Sequence, residues 1–437
     1  MPLRPLGQAT EVESTEVRRP YDAPVRAIVV GAGAVGAACA WYLLEEGCEV
    51  TLVDRGEVGR GCSYANAGLI CPAHSEALPG PGIVAEGLRA LLRRDGPFAI
   101  RPQAGPSVVP WLLRFWRQTP EAIYRRSTSV LVELSRLSFE LHEELARRGV
   151  TSFGYRRGPL LAASRDRDWR REAEAVVEEV RGLGFGARVL ERDELLALEP
   201  ALAPDHLGGY VLEDQGSGDS YRYVRSLVEH ARSRGAVVLE RTPVRRILAR
   251  EGRAVGVFAG EPAREIPAEL VVLAAGAWSP ALARGLGLRL PIQPATGYSL
   301  TLPAWEGAPR LPIIAGGSRV IVLPLEGRVR LAGTLELAGF RREPDPVRAR
   351  AVLRAGLGAL REPPPVREPE PWFGFRPLVP DDLPLIGWAP GVRGVLVATG
   401  HGTLGFTQGP ATGKLIAELA AGKPPSLPLE PFRPDRF

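Results

Sequence analysis

The stretch Ala27-Ile28-Val29-Val30-Gly31-Ala32-Gly33-Ala34-Val35-Gly36 decides the fold. A β-branched run ends directly in G-x-G-x-x-G. Val35, Ala38, Cys39, Tyr42 and Leu43 then repeat at helical spacing until Gly47, where a helix would stop. Glu49 to Val53 predicts a second strand, closed by Asp54. Strand, glycine turn, helix, strand and a downstream acid make the βαβ signature of a dinucleotide site. The glycines permit a tight turn and let backbone N–H groups and a helix N-terminus approach a pyrophosphate. Asp54 would accept hydrogen bonds from ribose hydroxyls. The motif does not choose between NAD and FAD. Cys39 on the apolar stripe and Cys48 beside the second strand read as core fillers.

Beyond this unit the chain departs from a continuous series of strands and helices. Gly59 to Pro72 is a loop of small residues whose length and glycine content suit a segment lying against a flat ligand. It holds Cys62 and Cys71, either of which could simply replace a Ser, and the chain's only asparagine, Asn66. Trp111, Phe115 and Trp116 read as core or as the wall of an apolar pocket. Glu121 to Arg148 and Asp166 to Leu183 predict amphipathic helices. Gly218-Asp219-Ser220 opens another, with Asp219 as N-cap, a face of Tyr223, Val224, Leu227, Val228 and Ala231, and a stop at Gly235. Strands are predicted at Ala236 to Glu240, Val244 to Leu248, Ala254 to Phe258, Tyr298 to Leu302, Arg319 to Leu323 and Val329 to Leu335. Leu270 to Ala274 is an apolar strand running into Ala275-Gly276-Ala277-Trp278, which would return the chain to the nucleotide site. Pro346 to Arg361 predicts a helix, followed by a proline-rich connection from Pro363 to Pro371.

Composition narrows the chemistry. Lysine stands only at Lys414 and Lys423, so a Schiff-base lysine in a core and a phosphate loop of the G-K-[ST] type have no residue to use. The five histidines never fall at metal-ligand spacing and the four cysteines form no C-x-x-C pair. No metal is expected, and the thiols fit a reducing compartment. A net charge of +5 is weak evidence for nucleic acid, and no nucleic-acid partner is expected. Scarce Asn and Met with abundant Pro and Arg fit heat adaptation, although genome base composition would give a similar bias. No run approaches eighteen apolar residues, and Met1 to Ala23 lacks a secretory signal's apolar core.

At the C-terminus stand Trp372-Phe-Gly-Phe-Arg376-Pro-Leu-Val-Pro-Asp-Asp-Leu-Pro-Leu-Ile-Gly387 and Thr399-Gly-His401-Gly-Thr-Leu-Gly405. With Ser63-Tyr-Ala-Asn-Ala-Gly68 and Gly297-Tyr298-Ser299-Leu300-Thr301, these segments resemble the bacterial D-amino acid dehydrogenases of the FAD-dependent D-amino acid oxidase and glycine oxidase superfamily. The resemblance runs from Ala27 to Leu419. It implies an α/β (α+β) fold: a discontinuous Rossmann-like FAD-binding domain with an inserted substrate domain built on an antiparallel sheet. The limits drawn are 1–24 for an N-terminal extension, 25–95, 212–288 and 372–424 for the FAD-binding domain, and 96–211 and 289–371 for the substrate domain. The implied reaction is oxidative deamination of a free amino acid by hydride transfer from Cα to non-covalent FAD. Electrons would pass to a quinone or dye, in the cytoplasm or at the inner face of the membrane. A peroxide-forming oxidase, a proline or hydroxyproline dehydrogenase, and a flavin-binding module without turnover are the competing readings.

The resemblance matches Arg376 to the arginine that grips the substrate carboxylate, a task suited to a planar guanidinium fork. The alternative is a structural arginine neutralising Asp381 or Asp382. Gly400 to Gly405 should set N–H groups and a helix N-terminus beside the flavin's N1–C2=O edge, where reduction places negative charge. Two readings stand for His401: contact with flavin or substrate, or a residue that only holds the loop. Tyr298 is a candidate substrate contact or a packed wall. The tyrosine that relatives place before the Pro ending the strand Arg319 to Pro324 has no counterpart, since Ile321 and Val322 stand there. The expected cofactor contacts are Gly31, Gly33, Ala34, Val35, Gly36, Asp54, Arg55, Cys62, Ser63, Asn66, Ala67, Gly68, Leu69, Val244, Ala275, Gly276, Trp278, Gly400, His401, Gly402, Thr403, Leu404 and Gly405. Arg376, Tyr298 and His401 are the expected catalytic set.

Overall fold

The near-continuous apolar runs of the dinucleotide unit become strands buried on both sides, as parallel strands require. The computed structural model describes residues 25–91, 96–364 and 369–437. The predicted N-terminal extension and part of the Pro363–Pro371 connection lie outside those residues. A six-stranded sheet runs in the order Leu385–Trp388, Val395–Thr399, Leu270–Leu273, Arg26–Val30, Glu49–Val53, Val237–Leu239, parallel except for its outermost strand Leu385–Trp388. Alternation decides which layer each side chain joins. Ala27, Val29, Leu270, Val272 and Leu396 pack with the helices Ala34–Glu45, Ser220–Ser233 and Gly409–Ala420. Ile28, Val30, Val271, Leu273 and Val397 pack with an antiparallel three-stranded sheet, Val244–Arg250, Arg253–Ala259 and Arg264–Pro267, and with helix Ser279–Arg284.

A second, ten-stranded sheet follows the path Trp372–Leu378, Gln293–Pro303, Arg328–Leu337, Val320–Leu325, Ile313–Ala315, Arg156–Ser164, Gly208–Ser217, Leu69–Ile70. Phe98–Ile100 adds to Arg328–Leu337, and Ala187–Glu191 to Gly208–Ser217. Its pairings are antiparallel save two. Helix Pro346–Gly358 covers one face, where Ala349 and Val352 meet Leu300, Val322 and Leu331. The strands Arg156–Ser164 and Gly208–Ser217 have no counterpart among the predicted elements. Gly-Pro interrupts the first, and Glu-Asp-Gln the second, so neither shows the alternation that marks a strand.

The chain crosses between the sheets after Val53, after Ser217, before Gln293 and after Leu378. The limits drawn at 212 and 372 therefore fall beside or within strands of the larger sheet. Backbone pairing, which composition does not report, decides sheet membership. Trp372–Leu378 bonds to Gln293–Pro303 from Trp372–Ser299 to Leu378–Gln293, although the segment after it returns to the first sheet.

Candidate active site

The glycine turn shows why glycine is needed at two of its positions. Gly31 has φ +107°, and a Cβ there would stand 2.5 Å from Ala274 O; at Gly36 it would stand 1.8 Å from Gly31 O. The tips of two strands and the start of helix Ala34–Glu45 thus close to backbone contact. That helix begins without a side-chain cap and without an acid in its first turn, which leaves its positive end for an anion. Asp54 accepts from Ala32 N–H at 2.7 Å and from Gly56 N–H at 2.8 Å, holding the turn while retaining lone pairs for a ribose hydroxyl. Arg55 lies over the Trp278 ring, 3.7 Å from its centroid, so these two predicted contacts meet across the ends of their strands. Val244 packs with Leu239, Val53 and Ala275 in the cluster beneath the same strand ends.

The loop Gly59 to Pro72 is fastened at every stage. Gly59 N–H donates to Ala32 O at 3.0 Å, Ser63 Oγ accepts from Ala34 N–H at 2.9 Å, and Ser220 Oγ donates to Ser63 O at 2.8 Å. Asn66 Oδ1 accepts from Gly68 N–H at 2.8 Å, closing an Asx turn ahead of the left-handed Gly68 (φ +63°). Gly68 O takes the Gly218 N–H, and Thr407 Oγ1 donates to Leu69 O, so the loop spans both the glycine turn and the C-terminal segment. Ala67 and Leu69 pack into the larger sheet.

The C-terminal loop carries Gly400 (φ +83°) and Gly402 (φ +51°). Thr403 and Gly405 N–H groups donate to no backbone carbonyl among the described residues, which leaves them as donors for a ligand edge. The helix that follows crosses Ala34–Glu45 closely, because a Cβ at Gly413 would stand 2.6 Å from Ala38 C. His401 is 4% exposed with Nε2 2.9 Å from Thr412 Oγ1, and burial depresses its pKa to about 3. Of its two readings, the geometry favours the loop-holding one, since the ring is neutral and committed to Thr412.

On the larger sheet, Ala295, Gly297 and Ser299 share a face with Arg376, Gly374 and Trp372 by register and alternation. Two glycines on adjacent strands let two large side chains lie flat. A Cβ at Gly297 would stand 2.5 Å from the Arg376 guanidinium, and one at Gly374 would stand 2.3 Å from the Trp372 ring. Arg376 Nη1 donates to Thr334 O at 2.5 Å, which is presented by a bulge with Thr334 at φ +61°. No carboxylate among the described residues lies within ion-pair distance of Arg376. Burial lowers its pKa, and the nearby Cys62 partly opposes that. Asp381 is taken by Arg436 at 2.7 and 2.9 Å, and Asp382 accepts from Leu78 N–H at 2.9 Å, so Arg376 neutralises neither. Ser299 Oγ, buried on the same face, has no partner among the described residues.

Tyr298 does not join this site. It occupies the opposite face, is 1% exposed, and donates to Glu336 Oε2 at 2.7 Å within the cluster under helix Pro346–Gly358. The expected substrate contact is therefore corrected to a core residue: a one-residue step along a strand reverses the face. Sequence reasoning missed Gly297, Ser299, Thr334 and Arg330 as parts of the site. Arg330, 3% exposed, donates to Asn66 O at 3.3 Å and to Thr301 Oγ1 at 3.3 Å, tying the sheet to the loop. A glycine inside a strand signals close approach by a neighbour, and the Arg-x-Arg spacing of Arg328 and Arg330 places both on one strand face.

The glycine turn at the start of helix Ala34–Glu45, the acceptor Asp54 and the N–H groups of the C-terminal loop supply the donors and the acceptor that an adenine dinucleotide calls for. Comparison with known proteins agrees. The model of the family described as DAO, FAD dependent oxidoreductase, matches residues 26–419. A D-amino acid dehydrogenase of Paramagnetospirillum magneticum is 36% identical over 423 residues, covering 94% of this chain and 99% of the relative. One of Bradyrhizobium diazoefficiens is 32% identical over 423 residues, with 94% and 99% covered. Glycine oxidase from Geobacillus kaustophilus superposes with TM-score 0.74 at 24% identity, over 95% of this chain and 99% of that one. Iminodiacetate oxidase from Chelativorans gives TM-score 0.70 at 26% identity, over 94% and 99%. The chain belongs to the DAO family of FAD dependent oxidoreductases.

Proposed function

We propose that the protein oxidises free D-amino acids to 2-oxo acids and ammonia and passes the electrons to a quinone or a dye. The carrying observation is Arg376, a half-buried guanidinium spread over Gly297 and anchored by one carbonyl, with no counter-ion among the described residues. Withdrawing a cation from water without pairing it is unfavourable, so the arrangement calls for an anionic ligand, and a planar fork suits a carboxylate. Bound FAD supplies the acceptor for the hydride leaving Cα. Arg376 holds the substrate by its carboxylate so that the C–H bond is oriented for that transfer, and the cysteine beside it, Cys62, stays a neutral thiol because burial raises its pKa. The imino acid released is hydrolysed by water.

Trp372 and Tyr64, 6.2 Å apart, form an aromatic wall on the Arg376 face. We infer that the substrate side chain lies against it and is apolar. A panel of amino acids in both enantiomers, added anaerobically to the holoprotein, tests the reading. Apolar D-amino acids should bleach the flavin, and a dye should be reduced under air with little peroxide formed. Stoichiometric peroxide would transfer the protein to the oxidases, and no bleaching with any amino acid would reject the reaction.

A further inference from the structure

We propose that Thr334 is a positioning residue for the substrate clamp: it is held in a left-handed conformation inside strand Arg328–Leu337 so that its carbonyl fixes the plane of the Arg376 guanidinium. Six non-glycine residues among the described ones have positive φ, and Thr334, at +61°, is the β-branched one. A β-branched side chain is crowded in that region, which Gly, Asn and Asp tolerate. Its hydroxyl adds a second cost, because Oγ1 is buried with no partner among the described residues. A strand without Thr334 would carry neither. Unfavourable backbone of this kind persists where the surroundings enforce it, and it concentrates at sites that use it.

The strand pairing shows what the conformation delivers. Thr296 opposes Glu336 and Tyr298 opposes Gly333, so Thr334 and Leu335 together oppose the single residue Gly297, a β-bulge. Gly297 is the residue over which Arg376 lies, coming from the strand on the other side. With no side chain between them, the guanidinium reaches across Gln293–Pro303, and Nη1 donates to Thr334 O at 2.5 Å. The bulge is pinned at both ends. Leu335 N–H donates to Pro97 O at 2.8 Å, and Leu335 to Leu337 pair with Phe98–Ile100. On the other side a Cβ at Gly333 would stand 2.8 Å from Val320 Cγ2, so that residue packs directly on its neighbour. Holding Nη1 by a fixed carbonyl leaves the N–H groups of Nε and Nη2, which have no acceptor among the described residues, as the fork for a carboxylate. A guanidinium fastened beforehand loses less freedom when substrate binds, and the direction of the C–H bond follows from its plane. The positioning role rests on the reading of Arg376 as the clamp.

Deletion of Thr334 in the full-length holoprotein tests it. Removing this one residue lets Leu335 alone oppose Gly297 and keeps every other pair of the two strands, so the ladder becomes regular while the carbonyl is withdrawn. The variant should keep its FAD and its thermal midpoint, while KM for an apolar D-amino acid rises about tenfold. The dissociation constant of isovalerate, a carboxylate without an amino group, read from the flavin spectrum without turnover, should rise by the same factor. In an Arg376→Ala background the deletion should change neither constant further, because residues acting through one interaction are not additive; a merely structural fault would add its own loss. Thr334→Gly takes the same φ without crowding but does not hold it, so its midpoint should rise and its KM increase about threefold. That variant decides the question if the deleted chain does not fold. Unchanged constants in the folded deletion variant, an undiminished effect of the deletion in the Arg376→Ala background, or a lower midpoint or unchanged KM in Thr334→Gly would overturn the proposal. If Arg376→Ala alone leaves both constants unchanged, the clamp falls and the positioning role with it; if Arg376→Ala raises them and the deletion does not, the positioning role alone falls.

Discussion

The two faces of strand Gln293–Pro303 carry opposite electrostatic arrangements. On one, Arg376 lies over Gly297 with no carboxylate among the described residues, and the Ser299 hydroxyl is unpartnered. On the other, the fully buried Glu336 receives Tyr298 at 2.7 Å, Arg101 at 2.8 Å and Arg341 at 2.9 Å, with Arg348 at 4.0 Å. Burial opposes ionisation of Glu336, yet hydrogen bonds from Arg101 and Tyr298 and the charges of Arg348 and Arg341 hold its carboxyl below the ordinary range. A charge compensated inside the protein is structural; one left uncompensated on an open face awaits a ligand. Adjacent residues, 297 and 298, belong to these two different roles.

The strongest way to break that contrast is to remove each charge in turn. Arg376→Ala should raise KM for the amino acid by roughly 100-fold, because a hydrogen-bonded charge partner of the substrate is lost. FAD content and thermal stability should be preserved. Unchanged KM would remove Arg376 from the site. Glu336→Gln should do the reverse, lowering stability by about 3–5 kcal/mol by leaving buried arginines without their anion, while KM of the folded fraction stays the same. Because the native carboxyl titrates below its unfolded value, the stability it contributes is present above about pH 4.3 and is lost on acidification. The Gln variant should therefore show a flatter acid limb. Gly297→Ala sharpens the comparison by moving the guanidinium without deleting it. Its methyl would stand 2.5 Å from the guanidinium, and displacement of that size should lower kcat/KM by about tenfold or more. An unaltered rate would mean that the arginine need not lie where it does.

Much of the cofactor side could be read in advance because its signals are local. The strand ending in Gly31, the N-cap at Asp219, whose side chain accepts from Tyr221 and Arg222 N–H, and the loop around Asn66 are all contiguous segments. The face that carries Arg376 is made by pairing between distant strands. Arg376 is singled out in the sequence by the resemblance of its segment, but that Tyr298 turns away from it depends on the register of Trp372–Leu378 against Gln293–Pro303. Segments 156–164 and 208–217 escaped prediction for the same reason: their interrupted sequences become strands only beside their partners. His401 stands between two roles in the sequence because a histidine in a glycine turn carries no sign of which way its ring points; the bond to Thr412 is visible only in the fold.

Asp382 offers the smallest and most specific test of how carboxylates near the site are managed. It lies under the C-terminal loop at φ +60°, accepts from Leu78 N–H at 2.9 Å, and packs its other oxygen against Gly402. Burial, reinforced by the charge of Asp381, pushes its pKa up to about 7. Near neutrality the group is thus partly protonated, a second way of handling a buried carboxylate beside the ion-paired Glu336. A folded pKa above the unfolded one means the folded state binds the extra proton. That stabilisation is complete below about pH 3.9 and is lost as the pH rises through 7. Asn tolerates the left-handed backbone, and its carbonyl oxygen can keep the Leu78 bond. Asp382→Asn should therefore leave the thermal midpoint little changed at pH 5, raise it at pH 8 relative to the unaltered protein, and remove the decline between those values. Parallel midpoints across that range would show that Asp382 is ionised throughout, and that a buried carboxylate near the site is paired after all.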